Sequence, residues 1–270
     1  KKSQPLIKFT VFKSNLIKLA FTLALFFSSS FNYACGIATS SPHAERIGCN
    51  ILINGGNAFD AAIAVSLALG VAEPYGSGIG GGGFFLLKRN TDADFTFIDA
   101  RETAPQNSNK IDYLNNQDYL KYGSLAIGTP GIPLALDHIF KNYSSLEISS
   151  LINPSIELAK YGFKIDKRFA KAIQRKKNYI FNNKNIKKVF IDRNGDLLEN
   201  GALFIQKDLS STLQFFADHG FDSFYDSVLT NKLVQSISAN GGILDHEDFR
   251  SYQIKLRKPI EFKINKSTIN

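Results

Sequence analysis

Six glycines fall within the eight residues from Gly76 to Gly83, in the stretch EPYGSGIGGGGFFLL. Glycine loses more backbone freedom on folding than any other residue, so such a run is costly unless the backbone must turn with φ > 0 or approach a strand or ligand closely. Upstream lies NAFDAAIAVSLALGVAEP, with Asn57 as N-cap, Asp60 in the first turn and an apolar run up to Pro74. That pattern predicts a helix apolar on every side, and therefore a buried one. Downstream, FFLLKR (Phe84 to Arg89) and FTFIDA (Phe95 to Ala100) flank the polar turn NTDAD and predict a β-hairpin. The order is helix, glycines, strand. A P-loop or dinucleotide fingerprint needs strand, glycines, helix, because the phosphate rests on the N-terminal N–H groups of the following helix. The Lys-Ser/Thr pair of a P-loop is missing as well, so a nucleotide cradle is not expected.

Alternating helices and short strands continue along the chain and predict a mixed α and β fold. GIATSS (Gly36 to Ser41) reads as a short strand, and Pro42 opens a helix ended by Gly55-Gly56. AIGTPGIPLALDHIF carries a Gly-Thr-Pro-Gly turn into an amphipathic helix. NPSIELAKYGFKID reads as a helix capped at Asn153 and stopped at Gly162, and further helices end at Gly220 and Gly241-Gly242. EFKINKSTIN alternates like a strand just begun.

Residues 1–34 read as a secretory leader: lysines up to Lys18, the short apolar run LAFTLALFF, then serines and small residues near Ala34. The expectation is export to the periplasm or medium, with residues 35–270 as the working region. Cys35 after FNYA is a poor lipidation signal, and membrane contact is expected only through the leader or an anchor at that cysteine. The net charge of +8 is partly the leader's, which leaves the remainder mildly basic. The cluster KRFAKAIQRKKNYIFNNKNIKK (Lys167 to Lys188) could suggest a phosphate-backbone groove, but in an exported protein it reads as a solvated surface, so no nucleic acid partner is expected. Cys35 and Cys49 are too few for a disulfide framework. The four histidines stand singly, so no metal site is expected.

DARETAP follows the hairpin and puts Arg101 at the end of a strand beside Glu102. An arginine there can clamp a carboxylate through two parallel N–H···O bonds, a geometry lysine cannot copy. It can equally form a surface ion pair with Glu102 or Asp99, and spacing alone leaves both readings open.

Taken together, GIATSSPHAERIGCNILINGGNAFDAAIAVSLALGVAEPYGSGIGGGGFFLLKRN, IDARETAP, GTPGIPLALDHIF, LAKYGF and FYDSVLTNKLVQSISANGGILDHEDFRSY resemble, in colinear order, the large-subunit portion of the γ-glutamyltransferases, also called glutathione hydrolases. The resemblance implies an N-terminal-nucleophile hydrolase fold, a four-layer αββα sandwich that is incomplete here. It also implies a precursor that cleaves itself into two subunits and an acyl-enzyme on the threonine that heads the small one. Glutathione and other γ-glutamyl compounds are the implied donors, water or amino acids and peptides the acceptors, with no metal or organic cofactor. Arg101 matches the arginine that grips the donor's α-carboxylate.

The implied nucleophile belongs to the segment after cleavage, so no catalytic residue is assigned within these 270 residues. Thr103, Thr129, Thr212 and Thr230 lie in the large-subunit match and are not promoted. With no methionine to initiate it, the chain reads as a fragment, expected to be inactive by itself. Two alternatives stand beside this reading: a non-catalytic remnant or binding module, and an acylase of the same fold acting on glutaryl or cephalosporin side chains.

Overall fold

The computed structural model describes residues 35–264 and 267–269, and the leader read over residues 1–34 lies outside them. Helix α1 (Pro42–Ile53) starts with proline at its first position, where the missing N–H costs nothing, and ends before Gly55, whose φ of 92° few other residues adopt. Helix α2 (Ala58–Ala72) is buried along most of its length, as its apolar run requires.

The start of α2 is fixed by a capping box. The Asn57 side chain accepts from the N–H groups of Phe59 and Asp60, and the Asp60 carboxylate accepts from Asn57 N at 2.8 Å. Asp60 also receives the hydroxyls of Ser144 and Ser145 and the Ser145 N–H (3.0 Å), so one buried carboxylate ties the helix to a loop more than eighty residues away. Burial pushes its pKa up, but the hydrogen bonds from Ser144, Ser145 and the Asn57 backbone outweigh this and leave it below the ordinary 3.8. The folded form therefore gains stability from ionised Asp60 above that pH and loses it as the pH falls through the lowered value. Asp60→Ala should cost roughly 3 kcal/mol, by stranding several buried donors. Urea unfolding at neutral pH and at pH 3 checks this, the difference between wild type and variant shrinking at the acid end.

The hairpin comprises β1 (Gly83–Leu87) and β2 (Thr96–Ala100), antiparallel with Phe84 opposite Asp99 and Leu86 opposite Phe97. A third strand, β5 (Lys255–Arg257), pairs with the other edge of β2. One face of this sheet is buried: Leu87, Ile98 and Ala100 share a core with Leu136 and Ile139 of helix α3 (Ile132–Tyr143). The opposite face carries Phe84 and Leu86, 56% and 44% exposed, with the Phe84 ring stacked on Phe97.

Helix α4 (Ile148–Tyr161), strands β3 (Phe163–Lys164) and β4 (Leu203–Phe204) and helix α8 (Lys207–His219) complete this core, with Gly162 and Gly220 ending the two helices at positive φ. Between β3 and β4 the basic stretch forms three short helices, α5 (Lys167–Arg175), α6 (Lys177–Asn182) and α7 (Lys184–Phe190). It is anchored by buried Phe169, Ile173 and Ile180, while its cations are mostly exposed. Helices α9 (Val228–Ala239) and α10 (His246–Arg250) lead to β5.

Three local expectations change. Residues 36–41 form no strand among the described residues: Thr39 Oγ1 accepts from Ser41 N, and the Ser40 hydroxyl goes to Glu73, so side-chain bonds replace ladder bonds. Helix α4 begins at Ile148, five residues before the Asn153 start read from the sequence, and takes Pro154 into its interior. The final alternating stretch is two strands, β6 (Phe262–Ile264) and β7 (Ser267–Ile269), antiparallel to each other.

Candidate substrate-binding site

Arg101 is the first residue past β2, and three other segments converge on the backbone there. Gly82 N donates to Glu102 Oε1 at 2.8 Å, which draws the glycine loop against the strand end. Gly81 O accepts from Gly131 N (2.9 Å) and Ile132 N (3.1 Å), so the loop serves two of the first N–H groups at the start of α3, which would otherwise lack partners. Thr103 and Thr129 exchange both backbone bonds as an isolated bridge.

Two stacked tyrosines hold the arrangement from below. The Tyr252 hydroxyl donates to Arg101 O at 2.8 Å and the Tyr225 hydroxyl to Pro130 O at 2.7 Å, their rings 5.6 Å apart. Burial raises both phenol pKa values, that of Tyr252 to about 12, so both stay protonated donors at neutral pH.

Of the two uses open to these glycines, close approach is the one the structure shows. None of the six adopts a positive φ. Gly82 is required by proximity: a Cβ there would lie 2.6 Å from Ala100 O. Gly78 packs its Cα against Gly70 of the buried helix, whose own Cβ would come within 3.3 Å of it. At Gly76, Gly78 and Gly80 a Cβ would meet nothing, and these residues line an open cleft of about 560 Å³. That cleft shares Gly80 and Glu102 with a larger one of about 910 Å³, into which Arg101 is set.

The Arg101 side chain is 64% exposed. Its Nε lies 3.3 Å from Glu102 Oε2, and its guanidinium stands 5.9 Å from the Phe84 ring centre. Asp99, the other carboxylate within reach in sequence, is taken by Arg257 Nε at 2.8 Å. The Asp99 pKa is held low chiefly by that bond. Among the described residues the Arg101 guanidinium makes no hydrogen bond, which leaves its two-pronged Nη edge available to a carboxylate in the cleft. The ion pair with Glu102 is real but exposed, a type that typically contributes about 0–1 kcal/mol.

The threonines have structural duties. Thr230 Oγ1 accepts from Ser227 N and donates to Phe224 O, and Thr212 Oγ1 donates to Asp208 O within its helix. Sequence reasoning missed Tyr252, Tyr225 and the Gly82–Glu102 bond, since no local pattern links residues so far apart.

The model of a family described as gamma-glutamyltranspeptidase matches residues 44–270. The chain belongs to that family. Over 230 residues it is 36% identical to a glutathione hydrolase proenzyme of Bacillus subtilis (strain 168), covering 83% of this chain and 39% of that protein. A crystal structure of Helicobacter pylori gamma-glutamyltranspeptidase superposes with a TM-score of 0.83 at 33% identity, covering 88% of this chain and 70% of that one. The cephalosporin acylase from Bacillus halodurans shares the fold with a TM-score of 0.75 at 26% identity, over 84% of this chain and 44% of that one. The fold is the N-terminal-nucleophile hydrolase sandwich, of which this gamma-glutamyltranspeptidase-family chain supplies helices and a three-stranded part of a sheet. The chain spans about two-fifths of the length of the curated relatives it matches.

Proposed function

We propose that this chain is part of a glutathione hydrolase, or γ-glutamyltransferase, in which Arg101 binds the α-carboxylate of the γ-glutamyl donor. The observation that carries this reading is the Arg101 guanidinium, set in the 910 Å³ cleft with its Nη edge unbonded among the described residues. Bound there, the donor's carboxylate would fix the position of the scissile γ-amide relative to the nucleophile, so remote binding energy does the orienting.

The reaction is acyl transfer. A threonine hydroxyl beyond Asn270, at the head of a small subunit released by self-cleavage, adds to the γ-carbonyl carbon. Its proton passes by way of that residue's own α-amine to the departing nitrogen as the C–N bond breaks. The products of this half are a free amine and a γ-glutamyl ester. Water then cleaves the ester to glutamate, or the amine of an amino acid or peptide takes the glutamyl group, and the hydroxyl is restored. The second subunit packs its sheet on the face of Phe84 and Leu86, which removes that apolar surface from water. The leader pattern supports a periplasmic or secreted location.

The test is release of the chromophore from γ-glutamyl p-nitroanilide by the whole precursor, with a denaturing gel to follow self-cleavage. Two chains and steady release are expected, and none from residues 35–270 alone. Release from glutaryl p-nitroanilide but not from the γ-glutamyl compound would replace this reading with the acylase one. A precursor that stays intact and releases neither would leave a binding module.

A further inference from the structure

Between Lys167 and Lys188 the chain has nine Lys and Arg residues and no Asp or Glu, and nothing in the proposed reaction uses them. The buried anchors Phe169, Ile173 and Ile180 hold α5 and α6 to the core, and eight of the nine cations are exposed, Lys187 being half-buried. Arg175, Lys176 and Lys177 line one open cleft of about 560 Å³ together with Tyr122 and Tyr179. The same tyrosine pair, whose rings are 5.4 Å apart, also lines a mainly apolar cavity of about 280 Å³ walled by Phe169, Ile173, Ile180 and Phe190. Lys121 and Lys176 also line it, and Lys176 Nζ stands 5.4 Å from the Tyr122 ring centre. Phe181 and Val189 are exposed among the lysines, with Lys187 Nζ 5.1 Å from the Phe181 ring centre.

We propose that this face, α5 to α7 with Tyr122, is a peripheral docking surface for an anionic phospholipid bilayer. Clustered cations are drawn to anionic headgroups, while exposed apolar side chains and an apolar cavity between the lysines take up acyl-chain surface. A nucleic acid would match the charge, but its phosphate backbone has no use for an apolar cavity. The proposal does not rest on the acyl-transfer reading, and it adds a membrane contact apart from the leader.

The experiment is sedimentation of the whole protein, freed of its leader, with vesicles of phosphatidylglycerol and phosphatidylcholine in equal parts, against vesicles of phosphatidylcholine alone. Binding is expected only to the first, and to weaken with salt. The triple variant Arg175→Gln, Lys176→Gln, Lys177→Gln should partition roughly a hundredfold less, about fivefold per cation removed. Lys207→Gln, Lys232→Gln, Lys258→Gln removes as many exposed cations elsewhere and should bind like wild type, and thermal melts confirm that both variants are folded. Equal losses in the two variants would reduce the effect to net charge and overturn the proposal. So would equal binding to both vesicle types, or tighter binding to duplex DNA than to anionic vesicles at the same salt.

Discussion

Replacing Arg101 by alanine in the whole protein should raise the KM for γ-glutamyl p-nitroanilide roughly a hundredfold, as expected for loss of paired, charge-assisted hydrogen bonds to a carboxylate. The effect on kcat should be smaller, because a group that grips the ground state and the transition state alike mainly sets binding. Arg101→Lys should recover only part of the loss, since an ammonium is a point charge and cannot present two parallel N–H groups. The decisive control is the 4-aminobutanoyl anilide, which lacks the α-carboxylate. Wild type and Arg101→Ala should turn it over equally poorly, so that the mutation and the missing group do not add. Unchanged KM for the γ-glutamyl compound would leave Arg101 as the exposed partner of Glu102, 3.3 Å away, and remove the observation on which the functional reading rests.

Gly131→Ala should destabilise the fold by about 3 kcal/mol or more, enough to prevent accumulation of soluble protein in a marginally stable domain. Gly131 has ordinary negative φ, so the cost is steric and owes nothing to backbone strain. Its Cβ would collide with Ala100 O and the Tyr252 hydroxyl, against an ordinary contact distance of about 3.5 Å. Neither neighbour can give way easily. Ala100 closes β2, and Tyr252 is held by its bond to Arg101 O and its stack on Tyr225. Gly131 N meanwhile donates to Gly81 O, so pushing the residue away would also release the glycine loop. Gly78→Ala is the contrasting case: its Cβ would enter the open cleft and should change stability by no more than about 0.5 kcal/mol. Urea unfolding of both variants checks the pair. Equal stabilities would mean that the convergence at Ala100 adapts more readily than its contacts imply.

What the sequence by itself determined is local in origin. The capping box of Asn57 and Asp60, the apolar run of α2, the glycine stops at Gly55, Gly162 and Gly220, and the hairpin around NTDAD depend on residues within a turn or two of one another. Helical and strand periodicities express such short-range preferences directly, which is why the order of helix, glycines and strand could exclude a nucleotide cradle. The same spacing left Arg101 undecided between clamp and ion pair, and the groups that shape its surroundings are distant. Asp99 is drawn away by Arg257, 158 residues on, and the Arg101 carbonyl is held by Tyr252, 151 residues on. The count of glycines left positive φ and close backbone approach both open, and packing decided for the second: Gly82 against Ala100, as with Gly131 against Tyr252. Only the tertiary structure decided the packing at these glycines and the neighbours that Asp99 and Arg101 meet, since the space beside a backbone atom and the surroundings of a charged group are set by whichever segments close around it, and no local pattern encodes them.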